Sequence, residues 1–348
     1  MIVKNEEAVL ARCLDCVAGL VDEIVIADTG STDRTKEIAG RYTDKVFDFT
    51  WIDDFSAARN FAFSKAEMDY CMWLDADDVL LPRDREGFLD LKRSLPPETD
   101  VVMMKYDVAF DAAGEPTFSY YRERLVRNLH APLWQGAVHE VITPFGQVAY
   151  SEVAVTHRKE GAGDPDRNLR IFESRRDQGI QPEPRERFYY ARELYYHARW
   201  AEAAGELRAF LDEGRGWIEN EIEACRFLAY CYYELDQDRE ALLALLESFT
   251  YDDPRAETCC DLGRHFMDRQ DYRRAIFWYE LALTRERDDR SGAFVLPDCY
   301  GYLPCIQLCV CYDRLGQRDR AAAYNLRAGR YKPDDPAYRS NLAYFAAN

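Results

Sequence analysis

Between residue 185 and the C-terminus one pattern recurs four times and leaves little choice of fold. A small residue stands on a helical stretch, and a large apolar or aromatic residue follows three positions later. After a polar turn, a second helical stretch carries an alanine. The small residues are Ala191, Ala229, Gly263 and Cys309, the bulky ones Leu194, Tyr232, Phe266 and Tyr312, and the alanines Ala203, Ala241, Ala275 and Ala321. Small residue and alanine are 12 apart in every unit, and the units follow one another at 38, 34 and 46 residues. The widest spacing includes residues 285–303, with Gly292, Pro297 and Gly301. Two small residues let paired helices approach closely while the bulky one fills the groove beside them. A helix pair cannot bury its apolar face alone, so stacked pairs form a superhelix with a concave face. Pro333 is placed to end the last helix, as it can neither donate nor continue one.

This register resembles the tetratricopeptide repeat, about four units over 185–348. The competing reading, a generic helical bundle, would require the constant offset to be coincidence. Aromatics of this half, among them Tyr189, Tyr190, Tyr195, Tyr196, Trp200, Tyr230, Tyr232, Tyr233, Trp278 and Tyr279, mostly fall on helical spacing. Most are expected in the stacking core and a minority on the concave face. Such a scaffold binds a peptide, another protein or its own copy.

The preceding half alternates in a different rhythm. Residues 1–4 read as the end of a short strand, and 6–20 has helical periodicity with Val9, Leu10, Leu14, Val17 and Leu20. Residues 24–27 are a short apolar run of the buried-strand kind, stopping at Asp28-Thr-Gly-Ser-Thr-Asp33. Thr32 or Asp33 can cap a helix reaching about Arg41. Residues 45–49 read as a strand, 56–65 as a helix, and 70–74 as a strand ending in Asp75-Ala76-Asp77-Asp78. A strand over 101–110, a turn at 111–114 and hairpin-like material to about His157 complete this half. The order predicts an α/β, Rossmann-like layer with a mostly parallel sheet. Ligands bind such sheets beyond the carboxyl ends of strands, which makes the acidic loops 28–33 and 75–78 the site candidates. No Walker phosphate loop, dinucleotide G-x-G-x-x-G, nucleophile elbow or H-E-x-x-H is present: His139-Glu140 is followed by Val141, Ile142 and Thr143.

Composition closes off other classes. With 348 residues the chain is long enough for two domains, and 47% hydrophobic with 31% charged residues describes a globular chain. A formal charge of −18 disfavours nucleic acid and anionic lipid as partners. No stretch approaches a membrane span, and MIVKNEE shows no secretory h-region, so a cytoplasmic location is expected. Eleven cysteines, an odd number, read as small buried hydrophobes of a reduced compartment. Cys13 and Cys16 form one C-x-x-C without a second pair at zinc-site spacing, and packing is the favoured reading.

The two or three carboxylates of Asp75, Asp77 and Asp78 would repel one another unless a cation or hydrogen bonds offset them. Oxygen ligands of this kind suit Mg²⁺ or Mn²⁺, which can bridge to phosphate. Asp28 and Asp33 can accept from a base or sugar hydroxyl, and Arg59 and Asn60 can add a cationic and an amide contact.

The segments Ile2-Val3-Lys4-Asn5-Glu6-Glu7, Asp28-Thr29-Gly30-Ser31-Thr32-Asp33-Arg34-Thr35, Trp51 with Asp53-Asp54-Phe55-Ser56-x-x-Arg59-Asn60, and Trp73-Leu74-Asp75-Ala76-Asp77-Asp78 resemble the family 2 glycosyltransferases. The resemblance is nearest to the bacterial subgroup in which tetratricopeptide repeats follow, which includes peptide S-glycosyltransferases. It implies a GT-A domain over 1–165, a connection over 166–184 and the repeats over 185–348. It also implies a UDP-sugar or other nucleotide-diphosphate sugar donor, with Mn²⁺ or Mg²⁺. Donor contacts would come from Asn5, Glu7, Asp28, Asp33, Asp54, Arg59, Asn60 and Asp75, with Asp28 at the uracil or ribose end. Metal ligands would be Asp77, Asp75 and His157, the last following the strand-like residues 153–156. Glu140 is the candidate general base, although His139-Glu140 stands where many members have an acidic pair. The implied partners are a peptide or protein acceptor and a second copy of the chain. The alternatives are transfer to a cell-envelope or lipid-linked saccharide, and a non-catalytic repeat scaffold.

Overall fold

The computed structural model describes residues 1–110, 114, 116–161 and 163–347. The expected turn at 111–114 therefore lies, apart from Gly114, outside the described residues. The chain divides into two compact units, Met1–Glu186 and Arg187–Asn348.

The first unit opens with β1 (Ile2–Val3), α1 (Leu10–Val17), β2 (Ile26–Asp28), α2 (Thr35–Ala39), β3 (Val46–Asp48) and α3 (Phe55–Phe63). It continues with β4 (Tyr70–Met72), β5 (Asp78–Val79), α4 (Pro82–Ser94), β6 (Thr99–Phe110) and β7 (Pro116–Arg127). β8 (Trp134–Gln135), β9 (Val141–Ile142), β10 (Gln147–His157) and α5 (Arg167–Asp177) end it. Helix α1 is shorter than its periodicity predicts. Residues 5–9 form turns whose polar groups bond to the loop after β2, and Gly19, at φ +78°, ends the helix just past Ala18. Helix α4 was not expected. Its signals are Pro82 in the first turn, Asp84 near the N-terminus and Lys92 and Arg93 in the last turn, but only Asp84 and Phe88 are buried.

The strands form two larger sheets rather than the single, mostly parallel sheet expected. β1–β2–β3 is parallel, whereas the five-stranded sheet is mixed, in the order β4–β7–β6–β10–β5. Only β6 and β10 run parallel in it; the long β6–β7 pair and the β4–β7 and β10–β5 pairs are antiparallel. A short β8–β9 ribbon stands beside them. Helix α1 joins the two larger sheets through its apolar face. Leu10 and Leu14 pack with Val3, Ile26 and Ile38, while Cys13 and Val17 pack with Leu74, Met104 and Val155.

In the second unit the register expected from sequence is present as helix pairs. Helix α6 (Pro184–Tyr196), which runs across the division, is followed by α7 (Trp200–Glu213). The next pairs are α8 (Ile218–Glu234) with α9 (Asp238–Glu247), α10 (Ala256–Asp268) with α11 (Tyr272–Ala282), and α12 (Tyr302–Arg314) with α13 (Arg318–Tyr331). Helix α14 (Pro336–Ala347) closes the array after Pro333. Ala191, Ala203, Ala229, Ala241, Ala275 and Ala321 are completely buried and Cys309 is 2% exposed. Gly263 shows why a small residue stands there: a Cβ on it would lie 2.7 Å from the Tyr279 ring. The bulky positions Leu194, Phe266 and Tyr312 are buried and Tyr232 is half-buried. Of the aromatics expected mostly in the core, Tyr190 and Tyr279 are buried, Tyr196 is exposed and the others are half-buried. All eleven cysteines are free thiols, ten of them buried and Cys16 half-buried. Among the described residues no helix is long and apolar enough to cross a membrane.

Candidate active site

Asp28 ends β2, and its carboxylate turns back into its own loop. Oδ1 accepts from the amides of Gly30 (3.0 Å) and Ser31 (2.8 Å), a turn that needs the positive φ of Gly30. Oδ2 is buried and has no partner among the described residues. A buried acceptor left unbonded carries a desolvation cost unless a ligand donates to it.

Asn5, Glu7 and Asp33 serve this loop differently. Asn5 Oδ1 accepts from the Thr32 amide (2.8 Å), and the Asn5 amide donates to Ser31 Oγ (2.9 Å). Glu7 accepts from the Arg34 amide and side chain, and the Glu7 amide donates to Asp33 Oδ2 (3.1 Å). The three knit residues 5–7 to residues 31–35, and with them set the position of Asp28. Between Asn5 and Glu7 stands half-buried Glu6, whose carboxyl is pushed up by burial and then by Asp77, Asp75 and Asp33. The two acidic loops, although they leave different sheets, thus act on one group. Glu6 was not among the expected site residues.

Helix α3 supplies the cation. Asp54 caps its N-terminus, accepting from the Ala57 amide (2.9 Å) and Ser56 Oγ (2.7 Å). Asn60 is engaged by the chain leading into β8: its Oδ1 accepts from the Leu133 and Trp134 amides, and its Nδ2 donates to Trp134 O, each at 3.0 Å. Between them on the helix, Arg59 is 7% exposed and forked. Nη2 donates to Asp75 Oδ1 (2.7 Å) and Nε to Glu140 Oε1 (2.6 Å). Its guanidinium stacks near Trp73 and Trp134. Burial alone would raise the Asp75 pKa, but Arg59 overrules it and holds the carboxyl at about 2. One arginine therefore ties the first carboxylate of the acidic loop to the candidate base.

The strand register builds the third cluster. β10 and β5 pair antiparallel with His157 directly opposite Asp78. His157 Nδ1 lies 3.3 Å from Asp78 Oδ1 and 3.5 Å from Asp77 Oδ1. Asp77, Asp78 and His157 each present a ligand atom within 4.8 Å of the others. The hydrogen bond that the Asp78 carboxylate accepts raises the His157 pKa. Burial, then the Asp75 and Asp78 charges, push the Asp77 carboxyl up against the pull of His157. Crowded carboxylates with one imidazole fit a divalent cation of the Mn²⁺ or Mg²⁺ kind, whose charge would offset this repulsion. Asp78 enters the cluster where Asp75 was expected, because Asp75 faces Arg59.

Residues 1–145 match the family described as Glycosyl transferase family 2. The first unit contains a family 2 glycosyltransferase domain. A TPR repeat-containing protein of Synechococcus elongatus is 37% identical over 144 residues, 41% of this chain and 34% of that protein. A glycosyltransferase of Rickettsia typhi with no assigned activity is 36% identical over 80 residues, 23% and 27% of the two chains. The lipopolysaccharide core biosynthesis glycosyltransferase LpsC of Rhizobium meliloti is 31% identical over 84 residues, 23% and 31%. The matched part thus spans about a third of these relatives or less. In this chain the glycosyltransferase domain is followed by the tetratricopeptide-like helical array.

Proposed function

We propose that the first unit transfers a hexose from a UDP-sugar to a peptide or protein acceptor by inverting single displacement. The observation that carries this reading is the pairing of His157 with Asp78 by strand register beside Asp77, on a domain of this family. Asp77 and His157, with Asp78 or Asp75 beside them, would hold Mn²⁺ or Mg²⁺. When bound, that cation supplies charge to offset the diphosphate leaving group. Asp28 offers its unpartnered Oδ2 to the base or ribose of the donor. Arg59 keeps Asp75 ionised and holds Glu140 in place. Glu140 takes the acceptor proton as the new bond to C1 forms, which requires it within about 3 Å of the acceptor atom. Asn5, Glu7, Asp33, Asp54 and Asn60 shape the pocket through the loops and helix they fix. The helical array, by its repeat physics, is suited to hold an extended peptide. This order of domains resembles the bacterial subgroup that includes peptide S-glycosyltransferases, and a thiol acceptor would ease the demand on a base.

A second reading, transfer to an envelope saccharide, is favoured by the similarity to a lipopolysaccharide core enzyme. UDP-sugar hydrolysis with and without Mn²⁺, followed by mass spectrometry of peptide and glycan acceptors, separates the two. Asp77→Ala is expected to remove nearly all transfer, whereas Glu140→Gln keeps donor affinity and loses turnover. Near-wild-type turnover of Glu140→Gln would eliminate it as the base. Donor turnover unaffected by Asp77→Ala would sink the metal-dependent mechanism.

A further inference from the structure

Arg124 lies on β7 with its side chain fully inaccessible, as is that of Asp78, its ion-pair partner. Its guanidinium is sandwiched between the rings of Trp73, 3.7 Å from the centroid, and Tyr106, 4.2 Å away. Nη1 donates to Asp78 Oδ2 (3.0 Å) and to Trp73 O (3.2 Å), while Nε and Nη2 have no partner among the described residues. A buried ion pair is often replaceable by apolar side chains without loss of stability, and unpartnered buried donors add cost. Stability therefore gives no reason for an arginine here. Orientation does.

Asp78 is bonded on both oxygens. Oδ2 also accepts from the Asp75 amide (3.0 Å), and Oδ1 accepts from Tyr106 Oη (3.0 Å) and faces His157 Nδ1. Tyr106 Oη is itself 3.0 Å from His157 Nδ1. Arg124 thus holds the two groups nearest His157 Nδ1, Asp78 by a charged hydrogen bond and Tyr106 by stacking. Through the Asp75 amide the same carboxylate fixes the turn that carries Asp77.

We propose that Arg124 is a positioning residue for the cation site, acting through Asp78 and Tyr106 to fix His157 and the Asp75–Asp77 turn. This rests on reading the Asp77–Asp78–His157 cluster as a metal site. Partners behind metal ligands set ligand orientation, and their loss commonly weakens metal binding 10–100-fold. Lysine at this position keeps the charge but has no planar fork to lie between two rings and reach Asp78.

The test is Mn²⁺ binding to the full chain by electron paramagnetic resonance titration, with and without UDP, alongside thermal melting. Arg124→Lys is expected to bind Mn²⁺ about 10–100-fold more weakly per folded molecule. Arg124→Met should lose at least as much, and Arg124→Lys keeps the test decisive if the methionine variant does not fold. Leu207→Ala, a buried change on α7 in the helical array, should lower the melting temperature and leave Mn²⁺ affinity as in wild type. Folded Arg124→Lys binding Mn²⁺ within about twofold of wild type, well short of the expected loss, overturns the role of Arg124 and leaves the metal reading intact. Wild type binding no Mn²⁺ overturns the metal reading, and this proposal with it.

Discussion

Two buried arginines show how differently the two units use charge. Arg226 in the helical array is 4% exposed, and all three of its side-chain nitrogens are bonded, to Asp261, Glu223 and Tyr230 at 2.7 Å each. Two of those partners lie three and four residues away on its own helix, and the third is on α10, the first helix of the next repeat. Arg124 in the glycosyltransferase unit has one bonded nitrogen of three, and its partners come from β4, β5 and β6 and the chain next to them. A satisfied local network serves to lock neighbouring repeats. A half-satisfied one assembled over long separations is the kind found where geometry is held for chemistry.

The largest expected effect tests that contrast directly. Arg226→Met removes the cation from Asp261 and Glu223, and breaking a buried pair by deleting one partner costs about 3–5 kcal/mol. Hydrogen exchange by mass spectrometry should show α8 and α10 losing protection, while UDP-sugar turnover per folded molecule stays at the wild-type level. If turnover collapses with the array folded, the division of labour between the two arginines is wrong.

The same contrast explains how much was legible in the sequence. The repeats were readable because their determinants are local and periodic: Ala191 and Ala203 carry their meaning in a spacing of 12 residues. The acidic loops were readable because an apolar run followed by clustered aspartates is also local. His157 stood out as an isolated histidine after a strand-like run. Asp78 as its partner was not separable from Asp75, since only the antiparallel register of β5 and β10 chooses between them. Arg124 gave no signal at all. In residues 119–127 the alternation that marks a half-buried strand breaks down, and Glu123, Arg124, Leu125 and Val126 are buried in succession. The two-sheet arrangement was hidden for a similar reason, because strands of two or three residues carry no directional information. Asn60 was legible by its place in a motif, but its bonds to Leu133 and Trp134 at the start of β8 were not.

A medium effect sharpens the comparison from the repeat side. Gly263→Ala places a methyl 2.7 Å from Tyr279, a ring only 2% exposed. Overpacking of this kind costs about 1–3 kcal/mol, because Tyr279 is wedged against Cys260 and Cys311 and has little room to retreat. Protection should fall across α10 and α11 together. An unchanged array would mean that the small positions do not set the helix–helix approach.

The smallest expected effect is a pH response of the array. His265 is 5% exposed, with Nδ1 2.8 Å from Tyr233 Oη. Burial, then the Arg269 charge, lowers its pKa, with Arg274 adding to this and Asp238 and Asp268 opposing it. The folded state therefore resists a proton that the unfolded chain accepts at its ordinary value of about 6.5. Above that value both states are neutral and His265 leaves stability unchanged. As pH falls from there toward the lowered folded pKa, the unfolded chain binds the extra proton and stability declines; below it, no further loss comes from this group. Exchange protection of α10, corrected for intrinsic rates, should thus drop between pH 7.5 and 5.5 in wild type. The drop should be smaller in His265→Gln, which keeps a partner for Tyr233 but does not titrate. Equal losses in both proteins would show that His265 is not the source of the acid sensitivity of the array.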